Sequence, residues 1–195
     1  MILPIVSYGS PILNKVAKEI TSDYSNLNEL INNMWETMYS AQGVGLAAPQ
    51  VGVPIRLFVI DASPFVNEKT MNNQEIETLK KFKKIFINPK ITLEEGKMCD
   101  FNEGCLSIPE VREDISRKEQ ITLEYFDEKF NHKNLKLKGL PARVVQHEYD
   151  HIEGILFTDH LSPLKKRLIK GKLNSISKGI VSVDYKMRFP KNIKR

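Results

Sequence analysis

The stretch GLPARVVQHEYDHIEG (Gly139–Gly154) predicts a helix of about three turns, around which we expect the rest of the fold to be arranged. Pro141 suits the first turn of a helix, because a backbone N–H at that position has no partner within the helix. Gly154 suits the position after the last turn, where left-handed backbone is common. These two residues set the expected ends of the helix.

Two histidines and a glutamate lie within this predicted helix. Because four residues advance about 400° on a 3.6-residue helix, His147 and His151 project about 40° apart on one face. Two imidazoles in this arrangement can bind one metal ion, and Glu148 is close enough to exchange a proton with a water on that ion. The H-E-x-x-H pattern thus indicates a metal site, although four fixed letters also occur by chance where histidines only pack or cap.

A catalytic metal usually has three protein ligands and an open position, so a third ligand must come from elsewhere in the chain. The metzincin pattern requires a histidine at position 157, which is Phe157. Thermolysin-like proteases use a later glutamate, but none follows Glu153. The third ligand is therefore expected upstream, where His132, Cys99 and Cys105 have suitable atoms.

Cys105 is the preferred candidate, although spacing alone does not decide among the three. It follows Gly104, which permits close backbone approach, and it precedes a short apolar strand. His132 lies in a polar turn that is typical of a solvated histidine, and the residues around Cys99 impose no evident constraint.

Hydrophobic patterns predict an α+β fold. Apolar residues at helical spacing predict an amphipathic N-terminal helix over residues 25–41. Apolar runs and alternation predict strands over residues 55–61, 84–93 (interrupted at Pro89), 120–127 and 134–139, the last two as a hairpin. Residues 63–83 are polar and are expected to form a surface excursion, partly helical around NQEIETLKKF. Since helices and strands do not alternate regularly, we expect mixed or antiparallel sheets packed around the central H-E-x-x-H helix.

Composition indicates one domain spanning residues 1–195. Hydrophobic residues make up 41% of the chain and charged residues 27%, which is ordinary for a soluble globular protein. No apolar run approaches the roughly 18 residues of a membrane-spanning helix, and the N-terminus lacks the positive charge of a signal peptide. With two cysteines and no export signal, reduced thiols in the cytoplasm are expected.

Charge is distributed unevenly along the chain. Residues 164–195 contain eleven lysines and arginines and one acidic residue, a local charge of +10, so the other 163 residues carry −5 within the net charge of +5. A basic tail can bind a polyanion such as RNA, but it can also be a solvated helix. We expect it to begin as a helix with Ser162 as N-cap and to pass beyond Gly179 into an extended segment.

Three segments together resemble the peptide deformylase family. They are GVGLAAPQ (Gly43–Gln50), EGCLS (Glu103–Ser107) and QHEYDH (Gln146–His151), in the family's order and without substitution in their key letters. The resemblance extends from Met1 to about Asp159. It implies a hydrolase that removes the N-formyl group from the N-terminal formyl-methionine of nascent polypeptides and releases formate.

The resemblance also implies the metal chemistry. Cys105, His147 and His151 would be the ligands, with Fe(II) as the metal and zinc or nickel able to replace it. A thiolate and two imidazoles suit a borderline divalent ion. In that family a metal-bound hydroxide attacks the formyl carbon, and Glu148 would take a proton from the water and deliver it to the leaving amine.

Further roles follow from the positions that match the family. The Gln50 amide and the backbone N–H of Leu106 are expected to donate to the oxyanion of the tetrahedral intermediate. Glu103 is expected to pair with Arg143 or another buried basic residue and so hold the cysteine loop. Gly45 is expected to let the backbone approach the substrate chain, arginines to shape the entrance, and apolar residues to bind methionine. The substrate-binding candidates are Val44, Gly45, Arg112, Arg117, Leu140, Val144 and Tyr149.

Two other classes of function compete with a deformylase. An H-E-x-x-H metalloprotease that cleaves peptide bonds is weakened by the missing third ligand downstream. A basic binding module with a structural metal would fill the fourth metal position with protein, and no second well-placed cysteine or histidine occurs. As partners we expect formyl-methionyl nascent peptides and the ribosome, the latter through the basic tail as in some relatives. We expect a monomer with no membrane contact.

Overall fold

The computed structural model describes residues 1–67 and 73–190, in which a five-stranded antiparallel sheet and a two-stranded parallel sheet are combined with helices. In chain order the elements are β1 (Ile5–Val6), α1 (Leu27–Ser40), β2 (Gly45–Ala47), β3 (Leu57–Asp61), α2 (Asn73–Lys80), β4 (Lys83–Cys105), β5 (Ile108–Phe126), β6 (His132–Lys138), α3 (Leu140–Ile152), α4 (Pro163–Ser177) and β7 (Met187–Arg188). Short 3-10 turns span Pro11–Asn14, Ala48–Val51, Ser63–Asn67 and Phe157–His160. The α+β fold class and the antiparallel sheet are confirmed.

The larger sheet follows the chain, since its strand order is β2-β3-β4-β5-β6 and every neighbouring pair is antiparallel. The predicted hairpin between the last two strands is present, with Leu123 opposite Leu135 and Phe126 opposite His132. Buried side chains such as Phe58 and Phe86, whose ring centroids are 4.9 Å apart, form the core against one face of the sheet. This sheet is the support on which the candidate site is built.

The predicted strands over 84–93 and 120–127 were too short. β4 runs on to Cys105, and β5 begins at Ile108, so the two form one long hairpin. From Ile91 to Asn102 the side chains of β4 are exposed or half-buried, so no apolar alternation marks that part of the strand. Pro89 is accommodated at a register shift of the pairing, where a missing N–H interrupts no ladder hydrogen bond.

Two helices, α1 and α3, contact the strands of the larger sheet. α1 places Leu27, Ile31, Met34 and Met38 in the core, at the spacing of three and four residues that an amphipathic helix requires. α3 contacts β2, β3, β5 and β6, and most of its side chains are buried. α3 therefore lies against the larger sheet, close to the end of β4.

Residues 63–83 were expected to form a polar surface excursion, and two side chains of this segment depart from that expectation because they are buried. Leu79 and Phe82 are 3% and 4% exposed and pack into the core beside Phe86. The predicted helical part is present as α2. The burial of Leu79 and Phe82 attaches the segment to the sheet. Residues 68–72 of the same segment lie outside the part of the chain that the structure describes.

The tail begins as predicted and then returns to the start of the chain. The Ser162 hydroxyl caps α4 by accepting a hydrogen bond from the Lys165 N–H over 3.4 Å. α4 buries Leu173 and Ile176 in a core cluster. Beyond α4 the chain is extended only briefly, where β7 pairs in parallel with β1. Among the described helices, none is both long and apolar enough to cross a membrane.

Candidate metal centre

The helix α3 holds both histidines of the candidate site. It begins after Gly139 and ends at Ile152, and Gly154 follows with a left-handed φ of 73°. A side chain at position 154 would strike the backbone of Asn14 and Lys15, so the close approach of that backbone also requires glycine here. The imidazole rings of His147 and His151 lie edge to face, with centroids 5.1 Å apart.

Cys105, at the end of β4, lies beside these histidines. Ligand atoms of Cys105, His147 and His151 lie within 4.8 Å of one another, and the distance from Cys105 Sγ to His151 Nε2 is 3.2 Å. Within the described residues, no other group of three or more cysteine, histidine or acidic side chains converges in this way. The other two upstream candidates lie elsewhere: His132 begins β6 with Nε2 3.5 Å from Glu124, and the carbonyl of Cys99 accepts from Arg143.

The chemistry of these three side chains suits a metal ion. Burial opposes ionisation of the Cys105 thiol, but the charge of His151 and hydrogen bonds from both histidines lower its pKa to about 5. Nδ1 of His151 is buried, and no hydrogen-bond partner for it exists among the described residues. A thiolate with two imidazoles is a donor set for a borderline divalent ion such as Fe(II), Zn(II) or Ni(II). The residues therefore fit a divalent metal ion at the position where the sequence predicted a metal site.

Glu103 connects the cysteine segment to the helix. Its carboxylate accepts from Arg117 Nε over 2.7 Å and from Arg143 Nη1 over 3.0 Å, and it lies 2.9 Å from His147 Nδ1. Burial would raise the pKa of Glu103, but the hydrogen bond with His147 and the interactions with Arg117 hold it well below its usual value. Since His147 Nδ1 faces Glu103, Nε2 is the ring nitrogen that remains to bind a metal.

The structure places Arg117 away from the entrance that the sequence assigned to it. Arg117 is 6% exposed and also binds Asp150 over 2.7 Å. It lies beneath the site, where it supports Glu103. No sequence signal distinguished this arginine from a solvated one, because its partners are 14 and 33 residues away along the chain.

Glu148 is buried within the site, beside Gly45. Burial raises the pKa of Glu148 to about 7, although the nearby histidines oppose this effect. Its Oε2 has no hydrogen-bond partner among the described residues. A Cβ on Gly45 would overlap Oε1 and lie 2.7 Å from Cδ of the glutamate. Gly45 therefore provides the space that the carboxylate of Glu148 occupies.

The side-chain amide of Gln50 lies next to the sulfur of Cys105. Its Oε1 accepts from the backbone N–H of Ala47 over 2.8 Å, which orients the side chain. Its Nε2 donates to Cys105 Sγ over 3.5 Å and to Ser107 Oγ over 3.3 Å. Ser107 is fully buried and was given no role from the sequence, although it ends the EGCLS segment. The amide donor thus lies at the candidate metal centre.

Of the site residues, Gln50, Glu103, Cys105, His147 and Glu148 line one cavity of about 580 Å³. Of the predicted substrate-binding residues, Val44, Gly45, Arg112 and Val144 line it, whereas Leu140 and Tyr149 are not among its lining residues. Tyr149 instead packs under the guanidinium of Arg56, 5.5 Å from the ring centroid. Arg112 is exposed at the cavity and is held by Asn102, whose Oδ1 accepts from its Nε over 2.8 Å.

The cavity also has a wall that the sequence did not predict. Val183, Asp184 and Tyr185 of the tail line it, together with Leu106 and Phe65. The tail reaches the cavity because β7 pairs with β1, and neither two-residue strand has a hydrophobic pattern long enough to be recognised. A long-range pairing of this kind leaves no local signal.

Comparison with known proteins supports one family. Residues 2–167 match the profile of the polypeptide deformylase family. The chain is 60% identical over 190 residues to a peptide deformylase of Christiangramia forsetii, covering 97% of each chain. It is 59% identical over 188 residues to a peptide deformylase of Flavobacterium psychrophilum, covering 96% of this chain and 97% of the relative. The crystal structure of a peptide deformylase from Legionella pneumophila has a TM-score of 0.75 and 38% identity, covering 91% of this chain and 96% of that one.

Proposed function

Because the chain belongs to the polypeptide deformylase family, we propose that it hydrolyses the N-formyl group of N-terminal formyl-methionine in nascent polypeptides and releases formate. Members of this family are enzymes, and so is this chain. The observation that carries the proposal is the convergence of Cys105, His147 and His151 within 4.8 Å beside buried Glu148 at one cavity. That arrangement supports metal-dependent hydrolysis of an amide.

Three side chains would hold the metal, for which we propose Fe(II), with zinc or nickel as substitutes. They are Cys105 through Sγ and the imidazoles of His147 and His151. A divalent ion bound there supplies Lewis acidity, which polarises a carbonyl and lowers the pKa of water. Glu103 orients His147 for this role, because its carboxylate faces Nδ1 of that ring.

Glu148 is proposed to handle the proton of the reaction. Its buried carboxyl has a pKa of about 7, which suits a group that must both accept and donate a proton near neutral pH. In the hydrolysis it takes a proton from water as the C–O bond to the formyl carbon forms. It then delivers a proton to the nitrogen as the C–N bond breaks, leaving formate and a free amine.

Gln50 and Leu106 are proposed to stabilise the oxyanion. The position of Gln50 Nε2 next to Cys105 Sγ supports this role, since a donor fixed beside the reacting carbonyl need not reorganise. Leu106 follows Cys105 directly, so its backbone N–H belongs to the segment that bears the sulfur. Donors of this kind contribute about 3–4 kcal/mol each in other acyl-transfer enzymes.

For the substrate chain we propose contacts with Val44, Gly45, Arg112 and Val144. All four line the cavity, with Arg112 at an exposed position and Val144 on the helix of the histidines. Apolar side chains suit a methionine side chain, which is flexible and polarisable. Leu140 is withdrawn from this set, because it packs against a core cluster and does not line the cavity.

Formate release from formyl-Met-Ala-Ser, with anaerobically prepared protein, tests the proposed function. A deformylase releases formate and leaves Met-Ala-Ser intact, whereas a metalloprotease cleaves the peptide between its residues. Absence of formate from metal-loaded wild-type protein would contradict the proposal. Peptide cleavage without formate would favour the protease instead.

The basic tail is proposed to contact the ribosome, in an enzyme that acts in the cytoplasm. Part of the charge of α4 is used within the chain, since Lys165 pairs with Glu113 over 2.9 Å. Arg167 and Lys170 are exposed, as is Leu168, and they form the surface available to a polyanion. Replacing both basic residues with glutamate should weaken co-sedimentation with ribosomes at low salt while formate release from the tripeptide is unchanged. Unchanged co-sedimentation would contradict the contact.

A further inference from the structure

The segment that follows α4 returns to the cavity and contacts the residue next to Cys105. The phenol of Tyr185 donates a hydrogen bond to the carbonyl oxygen of Leu106 over 2.8 Å. Tyr185 also lines the cavity and packs against the core cluster that contains α1. It lies beyond residue 167, where the match to the family profile ends.

The parallel pair of β1 and β7 fixes this segment in place. The backbone N–H of Ile5 donates to the carbonyl of Lys186 over 2.8 Å, and that of Ser7 donates to the carbonyl of Arg188 over 3.0 Å. The guanidinium of Arg188 lies directly against Gly52, so a Cβ at that glycine would overlap it. Tyr185 is therefore attached to a strand with two backbone hydrogen bonds and a close side-chain contact.

The chain just after β1 binds the carbonyl of Ser107, the residue that follows Leu106. The backbone N–H of Tyr8, just after β1, donates to the carbonyl of Ser107 over 2.8 Å. The consecutive carbonyls of Leu106 and Ser107 are thus bound by Tyr185 and Tyr8 respectively. Both bonds restrict rotation of the backbone directly after Cys105.

We infer that Tyr185 is a positioning residue for the hydrolysis, which acts by fixing Leu106 through its hydroxyl group. This inference rests on the proposed role of the Leu106 N–H as an oxyanion donor. Such a donor is effective when its orientation is set before negative charge develops on the substrate. Loss of the hydroxyl leaves the carbonyl of Leu106 without this partner. The backbone of Leu106 can then rotate, and its N–H can turn away from the position where it would donate to the oxyanion.

A pair of substitutions at this residue separates the hydrogen bond from the packing of the ring. Tyr185→Phe keeps the ring and removes the donor, whereas Tyr185→Leu removes both. We expect kcat for formyl-Met-Ala-Ser to fall about 3- to 10-fold in Tyr185→Phe, as for the loss of one neutral hydrogen bond, with little change in KM. Tyr24→Phe, in the turn before α1, removes a hydroxyl outside the cavity and should leave both constants unchanged.

Each kcat is expressed per bound metal ion. A variant that folds less completely therefore does not show a lower kcat for that reason alone. Wild-type kcat in Tyr185→Phe together with a loss in Tyr185→Leu would show that the ring only packs, and would overturn the inference. An increase in KM at constant kcat would also overturn it, because the tyrosine would then serve substrate binding. Failure of wild-type protein to release formate would instead contradict the proposed function.

Discussion

Oε2 of Glu103 lies 2.9 Å from Nδ1 of His147, and this contact joins the strand that ends in Cys105 to the helix that bears both histidines. The two residues are 44 positions apart in the chain. The same carboxylate is bound by Arg117 and Arg143, which are both buried. One glutamate therefore holds the ring of His147 and is shared by two buried arginines.

Glu103→Gln should weaken metal binding and destabilise the fold together. We expect metal affinity to fall about 10- to 100-fold, because His147 loses the partner that orients it. We expect the free energy of unfolding to fall by about 3 kcal/mol, because buried Arg143 loses its carboxylate partner and buried Arg117 keeps only Asp150. Metal titration and denaturant unfolding measure the two effects. Glu77→Gln, which breaks an exposed pair with Lys80, is the control and should leave stability nearly unchanged. Undiminished metal affinity in Glu103→Gln would show that His147 is oriented by something else.

Gly45→Ala should reduce turnover strongly while metal binding is retained. The added methyl group overlaps the carboxylate of Glu148, so that side chain must move. A displacement of about 1 Å in a catalytic group can cost about 100-fold in rate. Steady-state kinetics and metal analysis of the purified variant provide the test. Gly171→Ala is the matched control, since no atom beyond the adjacent backbone of α4 lies within 4 Å of the added methyl, and it should stabilise α4 by about 0.5–1 kcal/mol without loss of activity. Normal turnover in Gly45→Ala would mean that Glu148 need not occupy its observed position.

Glu148→Gln should keep the metal and nearly abolish turnover. The amide has the size of the carboxyl group but cannot carry a proton between water and the leaving amine. A loss of about 10²- to 10⁴-fold in kcat is expected. Glu153→Gln, which affects the pair with Arg56 near the end of the same helix, should leave kcat unchanged. Substantial formate release by metal-loaded Glu148→Gln would remove Glu148 from its proposed role.

The two cysteines should differ in their effect on metal content. Cys105→Ser replaces a thiolate with a poorer ligand for a borderline metal and should lower metal occupancy after dialysis at neutral pH. Cys99→Ser should bind metal as the wild type does, because that side chain lies outside the group of converging ligands. Elemental analysis of both variants is the measurement. Equal occupancy in the two would exclude Cys105 as a ligand.

Asp61→Asn should destabilise the fold at pH 7 but not at low pH. Burial opposes ionisation of Asp61, yet hydrogen bonds from Ser63 and Tyr39 and the charge of Lys83 lower its pKa below the ordinary 3.8. Because the pKa is lower in the folded state, this stabilisation is present above pH 3.8 and is lost as pH falls through the lower value. We expect a difference of about 1.5–3 kcal/mol at pH 7, measured by unfolding of both proteins across this range. A difference that persists undiminished at the lowest pH would contradict the assignment.

The histidines were predictable because their geometry is local. Positions four apart on a helix share a face whatever the rest of the fold does, so His147 and His151 needed no tertiary information. The third ligand was different, since the residues alone left three candidates. The long hairpin of β4 and β5 carries Cys105 to the helix, whereas Cys99 and His132 lie at other places on the sheet.

The parts that escaped prediction depend on contacts between distant segments. The exposed stretch of β4 has no alternation to detect, so its continuation to Cys105 follows only from pairing with β5. Arg117 has the sequence context of a surface arginine, and its burial follows from Glu103 and Asp150. Gly45 was assigned to substrate approach, and the structure shows in addition that it makes room for the side chain of Glu148 on another element.

The parallel pairing of Ile5 with Met187 has a consequence for the order in which the enzyme becomes competent. It closes nearly the whole chain into one loop, and contacts between such distant residues form late because the entropy of closure must be overcome first. During synthesis, Cys105 and both histidines emerge before Tyr185 does. A growing chain therefore presents these three side chains while the wall of the cavity formed by Val183, Asp184 and Tyr185 is still missing.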